Sequence, residues 1–399
     1  MADDLLGVSR CGVETIELNS AINAKIESKK LNMGPDKCFR LHIGNRKSKK
    51  TKCSNILQVH NIEMKNATKI KYLGVFLNSQ GSLDDTINDR SYKAIGLRSQ
   101  LSSILKSISL GAYYFEVAMI LRESSYLNAI LCSSESWYYL TNKQMEAFEF
   151  ADAKYFQICF QSSDKTAREA YYLETGKMKV RHIIVKRRFM FLFNILKRED
   201  GDLLKKTYLV QKIQKTRFDW YQTISQNKKE YGIIITDNEI SSMSKSQFKN
   251  YIEDKILQKS LEELIYCKKA KLQNIQKSVL IQRNKRICMQ YYLQTNLLSL
   301  SEKQFAFELR SRNYTVKSNY KSRFEGDMRC RLCNEEDSSE DEEHSFFHCV
   351  VIMKDHQIDR QVKYEHIYGE LGKLVRAVKY FKQIAEKRKL LFEMRNIKL

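Results

Sequence analysis

The sequence predicts a mainly α-helical protein with a small α+β part at its N-terminal end. Three observations carry this. One proline and fourteen glycines in 399 residues leave few helix breakers among many Lys, Gln, Glu and Leu. From Leu83 onward, apolar residues recur at helical spacing. Strand-like alternation is confined to the stretch between Cys38 and Leu77.

In chain order, Asp3 and Asp4 come first, followed by the apolar Leu5, Leu6 and Val8. Adjacent carboxylates on a turn between strands suit Mg²⁺, which takes oxygen ligands, although a solvated terminus or a helix cap uses the same pair. Ile16, Leu18, Ile22 and Ile26 then mark one apolar helix face over 13–30, and a turn follows at 31–36. Strands are expected at 38–44, near 56–59 and at 71–77. A basic loop with Arg46, Lys47, Lys49, Lys50 and Lys52 interrupts them, and the last is closed by a turn at 78–81. Helices are expected at 83–110, 111–140 and 142–160. The second is dense in aromatic and aliphatic residues on most faces and so belongs at the centre of a bundle.

A helix stopped by Gly176 leads into 180–189, where Lys186, Arg187 and Arg188 form the cationic face of an amphipathic helix suited to a phosphate backbone. His182 has no partner near it in sequence and reads as structural. A long basic helical stretch covers 200–325, with helix boundaries suggested at Asp219 and around Ser241–Phe248. Trp220 and Tyr221 there suit either a core or base stacking. A second cluster holds Arg283, Lys285 and Arg286. The tail from His356 reads as one or two basic amphipathic helices.

The charge of +22 arises from 69 Lys and Arg against 47 Asp and Glu, spread along the chain. Such a charge favours a polyanionic partner, and nucleic acid is the commonest. Ten cysteines without a repeating spacing point to free thiols in a reducing compartment. The longest apolar run, 189–196, is too short to span a bilayer. No membrane contact is expected, and the location read from this is the nucleus, the cytoplasm or both.

Cys330-Arg331-Leu332-Cys333, an acidic loop, and His344-Ser345-Phe346-Phe347-His348-Cys349 present four N/S donors in two short groups, the pattern of a closed tetrahedral Zn²⁺ site. Cys330, Cys333 and His344 are common to two ligand sets. His348, four residues after His344, gives two cysteines and two histidines, whereas Cys349 gives a third thiolate. The acidic loop itself is expected to be a solvated excursion.

Taken together, Asp3-Asp4 with its apolar run, the following helix, Met33-Gly34 to Lys37-Cys38, and Tyr72-Leu73-Gly74 resemble, in order and spacing, the second half of a non-LTR (LINE-type) retrotransposon reverse transcriptase. The Cys-Cys-His-Cys series extends the resemblance and implies Cys349 as the fourth ligand. It implies a partial palm over 1–82, a thumb-like bundle over 83–165 and a basic helical linker over 166–325. A zinc knuckle over 326–350 and C-terminal helices over 351–399 complete the series. By the same resemblance Asp3 and Asp4 would hold Mg²⁺, Lys37 would protonate the leaving pyrophosphate, and the partners would be an RNA template and target DNA in target-primed reverse transcription. The further aspartate and the fingers of such polymerases have no counterpart in these residues, so the expected activity of this chain is RNA or DNA binding without polymerisation. Pro35 is the one proline, so the Pro-Asp nuclease pattern found after the knuckle in some related elements is lacking. The rival reading is a non-catalytic host protein for nucleic-acid binding or protein interaction, derived from a transposon. A decayed copy without function is the third.

Overall fold

A computed structural model describes residues 8, 12–29, 38–43, 58–59, 62–72, 74–107, 110–216, 219–282, 288–323, 326–354 and 359–397. The chain forms two compact units, Met1–Lys93 and Ala94–Leu399. It is 66% helix and 5% strand, so the class is mainly α with its strands at the N-terminal end.

Among the described residues of the first unit, helix α1 (Gly12–Ser28) precedes the short strands β1 (Phe39–Leu41), β2 (Gln58–Val59), β3 (Ile62–Glu63), β4 (Lys65–Ala67), β5 (Lys69–Tyr72) and β6 (Val75–Asn78). β1 runs parallel to β4, while β2–β3 and β5–β6 are antiparallel pairs. The strand-like run at 71–77 reverses within itself, and β5 and β6 form a hairpin. Tyr72 pairs with Val75, and Gly74 at φ 81° supplies the left-handed residue that so tight a reversal needs. The first turns of α2 (Asp84–Ser107) pin this hairpin. Arg90 donates to the Gly74 carbonyl at 2.7 Å, and Asp85 and Asp89 take Lys69 and Lys71 at 3.0 and 3.1 Å.

The second unit is helical. The helix expected over 111–140 is shorter and broken: α3 (Tyr114–Leu121), a π-helical turn at Arg122–Tyr126, and α4 (Leu127–Ile130). The break places Arg122, fully buried, against Asp152 of α5 (Asn142–Phe160), with Nε and Nη2 donating at 2.8 and 2.7 Å. α6 (Arg168–Thr175) stops at Gly176, where φ is 69° and a Cβ would stand 2.4 Å from the Cys288 backbone, so only glycine lets the two segments cross. α7 (Val180–Leu196) follows. The stretch expected as long and helical divides into α8 (Leu203–Gln214), α9 (Trp220–Glu230), α10 (Asp237–Ser242), α11 (Lys245–Ile265), α12 (Gln273–Gln282), α13 (Tyr291–Gln294) and α14 (Leu300–Arg310). Asp219 caps α9, and Ser244 with Gln247 forms a capping box on α11. α15 (Val350–Met353) and α16 (Leu371–Met394) complete the chain.

Among the described residues, two apolar clusters of this unit bear on the site. One runs from Val185 through Phe193, Trp220 and Phe248 to Ile256. The other gathers Leu309, Val316, Cys330, Phe346, Cys349, Ile352, Phe381 and Phe392, so the cysteine motif and α16 share a core. Trp220 is buried and donates to the Glu135 carbonyl at 2.8 Å, and Tyr221 packs against the first cluster. Trp220 is thus a core residue and Tyr221 is half-buried. Among the described residues no helix is long and apolar enough to cross a membrane.

Candidate metal centre

Backbone pairing brings the two halves of the motif together. The Cys330 N–H donates to the Ser338 carbonyl at 3.1 Å and the Glu340 N–H to the Met328 carbonyl at 2.7 Å, a short antiparallel ribbon with Arg329 opposite Ser339. After Cys333 the chain reverses through Asn334, at φ 54°, whose N–H returns to the Cys330 carbonyl at 2.8 Å. A π-helical turn, His344–His348, presents the second half. It ends at Cys349, where ψ turns extended and the N–H bonds the His344 carbonyl at 2.8 Å.

The sulfurs of Cys330, Cys333 and Cys349 and one ring nitrogen of His344 all lie within 4.8 Å of one another. Cys330 Sγ and Cys349 Sγ are 3.8 Å apart, and Cys333 Sγ and His344 Nε2 are 3.4 Å apart. Tetrahedral zinc with ordinary Zn–S and Zn–N lengths needs S···S edges of about 3.8 Å and S···N edges of about 3.6 Å. The four residues can therefore hold a metal ion, in dimensions compatible with zinc. His348 is exposed and outside this group, whereas Cys349 is fully buried within it.

The cysteines of the cluster also perturb one another. Hydrogen bonding from Cys349 holds the Cys330 thiol below its ordinary value against the effect of burial, helped by the N–H groups of Leu332 and Cys333. The same contact, with burial, pushes Cys349 up. Two thiolates this close share one proton unless a cation stands between them.

The acidic loop is only partly the solvated excursion expected. Glu335, Glu336 and Asp337 are exposed, but Glu340 is fully buried. It accepts from Arg331 Nε at 2.9 Å and Arg388 Nη2 at 2.5 Å, which ties the motif to α16. Arg395 adds a bond to the Leu332 carbonyl at 2.8 Å. Burial of a charge requires such partners, and both arginines were indistinguishable in sequence from surface cations.

Asp3, Asp4, Lys37, Lys47, Lys49, Lys50, Arg283, Lys285 and Arg286 lie outside the described residues. Of the cationic face expected on α7, one residue is buried and two are half-buried, and all three have partners within the protein. Arg188 is buried, donating to the carbonyls of Trp137 and Tyr138 at 3.2 and 2.9 Å. Arg187 donates to the Leu131 carbonyl at 2.6 Å, and Lys186 pairs with Glu253 at 2.5 Å. His182 is fully buried between Tyr231, 2.8 Å from Nδ1, and Glu263, 3.4 Å from Nε2.

The chain matches no family model, no curated protein and no solved structure.

Proposed function

We propose that the protein is a zinc-stapled nucleic-acid-binding protein, corresponding to the palm-to-knuckle portion of a non-LTR retrotransposon reverse transcriptase. The observation that carries the reading is the four-donor cluster of Cys330, Cys333, His344 and Cys349 in a chain of net charge +22. Closed sites of three thiolates and one imidazole serve zinc in structural roles, leaving no open position for substrate. The metal fixes the motif against α16, and the cationic surface binds RNA or DNA. Asp3 and Asp4 alone are a poor cage for Mg²⁺, so binding rather than polymerisation is the activity proposed for these 399 residues.

The test is a titration of the full chain with RNA and DNA across a range of salt. Affinity should fall steeply and linearly on logarithmic axes, by about 0.7 to 0.9 per phosphate contacted. Salt-independent binding, or none, would reject the reading. Primer extension in Mg²⁺ would reject the claim of inactivity.

A further inference from the structure

A pocket of about 760 Å³ opens between α5, α6, the start of α7 and the turn at 269–271. Lys165, Arg168, Lys179, Arg181, Lys269 and Lys271 line it, against Glu146, Glu149 and Glu169. Each of these carboxylates has its own cation: Arg168 pairs with Glu146, Arg181 Nη2 donates to Glu149 at 3.0 Å, and Lys269 reaches Glu169 at 2.7 Å. Lys179 is drawn towards Glu263 at 3.7 Å. Among the described residues, Lys165 and Lys271 make no ion pair.

These two ammonium groups lie against one ring, that of Tyr320, at 5.1 and 5.2 Å from its centroid. Arg312 adds positive field at Lys271, and the carboxylate that opposes it, Glu342, is buried and already bonded by Asn319. Two helices also begin at the pocket wall, α6 after Ala167 and α7 after Lys179, and neither has a capping side chain. Their helix dipoles add to the same field. Beside the pocket stands Phe150, 49% exposed, with Lys154 and Arg168 each 5.3 Å from its ring centroid. Arg168 lines the pocket and covers this ring, so the two features adjoin.

We propose that this pocket holds a phosphodiester of single-stranded nucleic acid, with Lys165 and Lys271 supplying positive charge and Phe150 the face on which a neighbouring base stacks. The inference rests on the nucleic-acid-binding reading above. Single strands are favoured over duplex because a base must leave its stack to use the ring.

The experiment measures binding of oligothymidylate, an unstructured oligoribonucleotide and a DNA duplex to the full chain as salt is varied. The parent is compared with Lys165→Ala/Lys271→Ala and with Phe150→Ala. Lys165 and Phe150 are exposed, and thermal melts check that each variant folds. For single strands, the double substitution should lower the salt slope by about 1.4, two contacts' worth. Phe150→Ala should weaken binding about fivefold or more with the slope unchanged. If the parent binds and both variants match it, the pocket assignment fails while the nucleic-acid reading stands. If the parent binds neither strand nor duplex at low salt, both fail. Equal protection of Lys165 from an amine-reactive reagent by inorganic phosphate or by oligothymidylate would make this a free-phosphate site and overturn the strand assignment.

Discussion

At the scale of single residues, the chemistry turns on which polar groups are buried together. Cys330, Cys333 and His344 form the group with Cys349, while His348 is turned to solvent. Cys330→Ser should therefore remove one equivalent of bound zinc by elemental analysis, whereas His348→Ala should leave it. Loss of zinc in the histidine variant would refute this ligand set. Arg122 and Asp152 make a second commitment: both are fully buried, and the carboxylate also accepts from the Tyr172 hydroxyl at 2.9 Å. Arg122→Met leaves that charge stranded and should cost about 3–5 kcal/mol in chemical denaturation. Arg122→Met/Asp152→Leu should recover much of the loss, because removing both charges removes the desolvation penalty as well. These partnerships have no sequence signature. Arg122 and Asp152 are thirty residues apart, and Arg188 reaches carbonyls fifty residues away.

At the scale of elements, α7 is held to α11 by charge as well as by packing. His182 and Lys179 face Glu263, and Lys186 faces Glu253. Burial works to raise the Glu263 pKa, but the hydrogen bond from His182 and the charges of His182, Lys179 and Arg181 outweigh it and bring it from 4.5 to about 2. A carboxylate with a depressed folded-state pKa stabilises the fold above its unfolded value, and that contribution is lost as pH falls through the folded value. Glu263→Gln should lower the melting temperature at neutral pH, with the deficit against the parent shrinking between about pH 4.5 and 2. A deficit independent of pH would mean that shape rather than charge is at stake. Helix boundaries were more legible than these pairings. Asp219, Gly176 and Ser244 with Gln247 act within one turn of their own helix, and so stand beside each other in sequence as in space. The break at 122–126 was not legible, because apolar residues on every face look alike in a continuous helix and in a broken one.

At the scale of the whole molecule, the separation of the two apolar clusters has a consequence for metal removal. The cluster around Phe193 and Phe248 contains none of the four donors, whereas the one around Phe346 and Phe381 contains Cys330 and Cys349. Stripping the metal should raise amide hydrogen exchange across 326–353 and 371–394, while 185–256 stays protected. Uniform loosening of both would show that the centre supports the entire second unit. The sequence by itself determined the mainly helical class, the confinement of strands to the N-terminal part, the excess of positive charge and the spacing of the cysteine motif. Each of these depends on composition or on neighbours within a few residues. Only the tertiary structure decided that Cys349 rather than His348 joins the cluster. It alone showed that Glu340 is a buried anchor, that Arg188 is buried against carbonyls some fifty residues away, and that Lys165 and Lys271 meet over the ring of Tyr320. The physical reason is desolvation: whether a charge is matched depends on which distant segments pack around it.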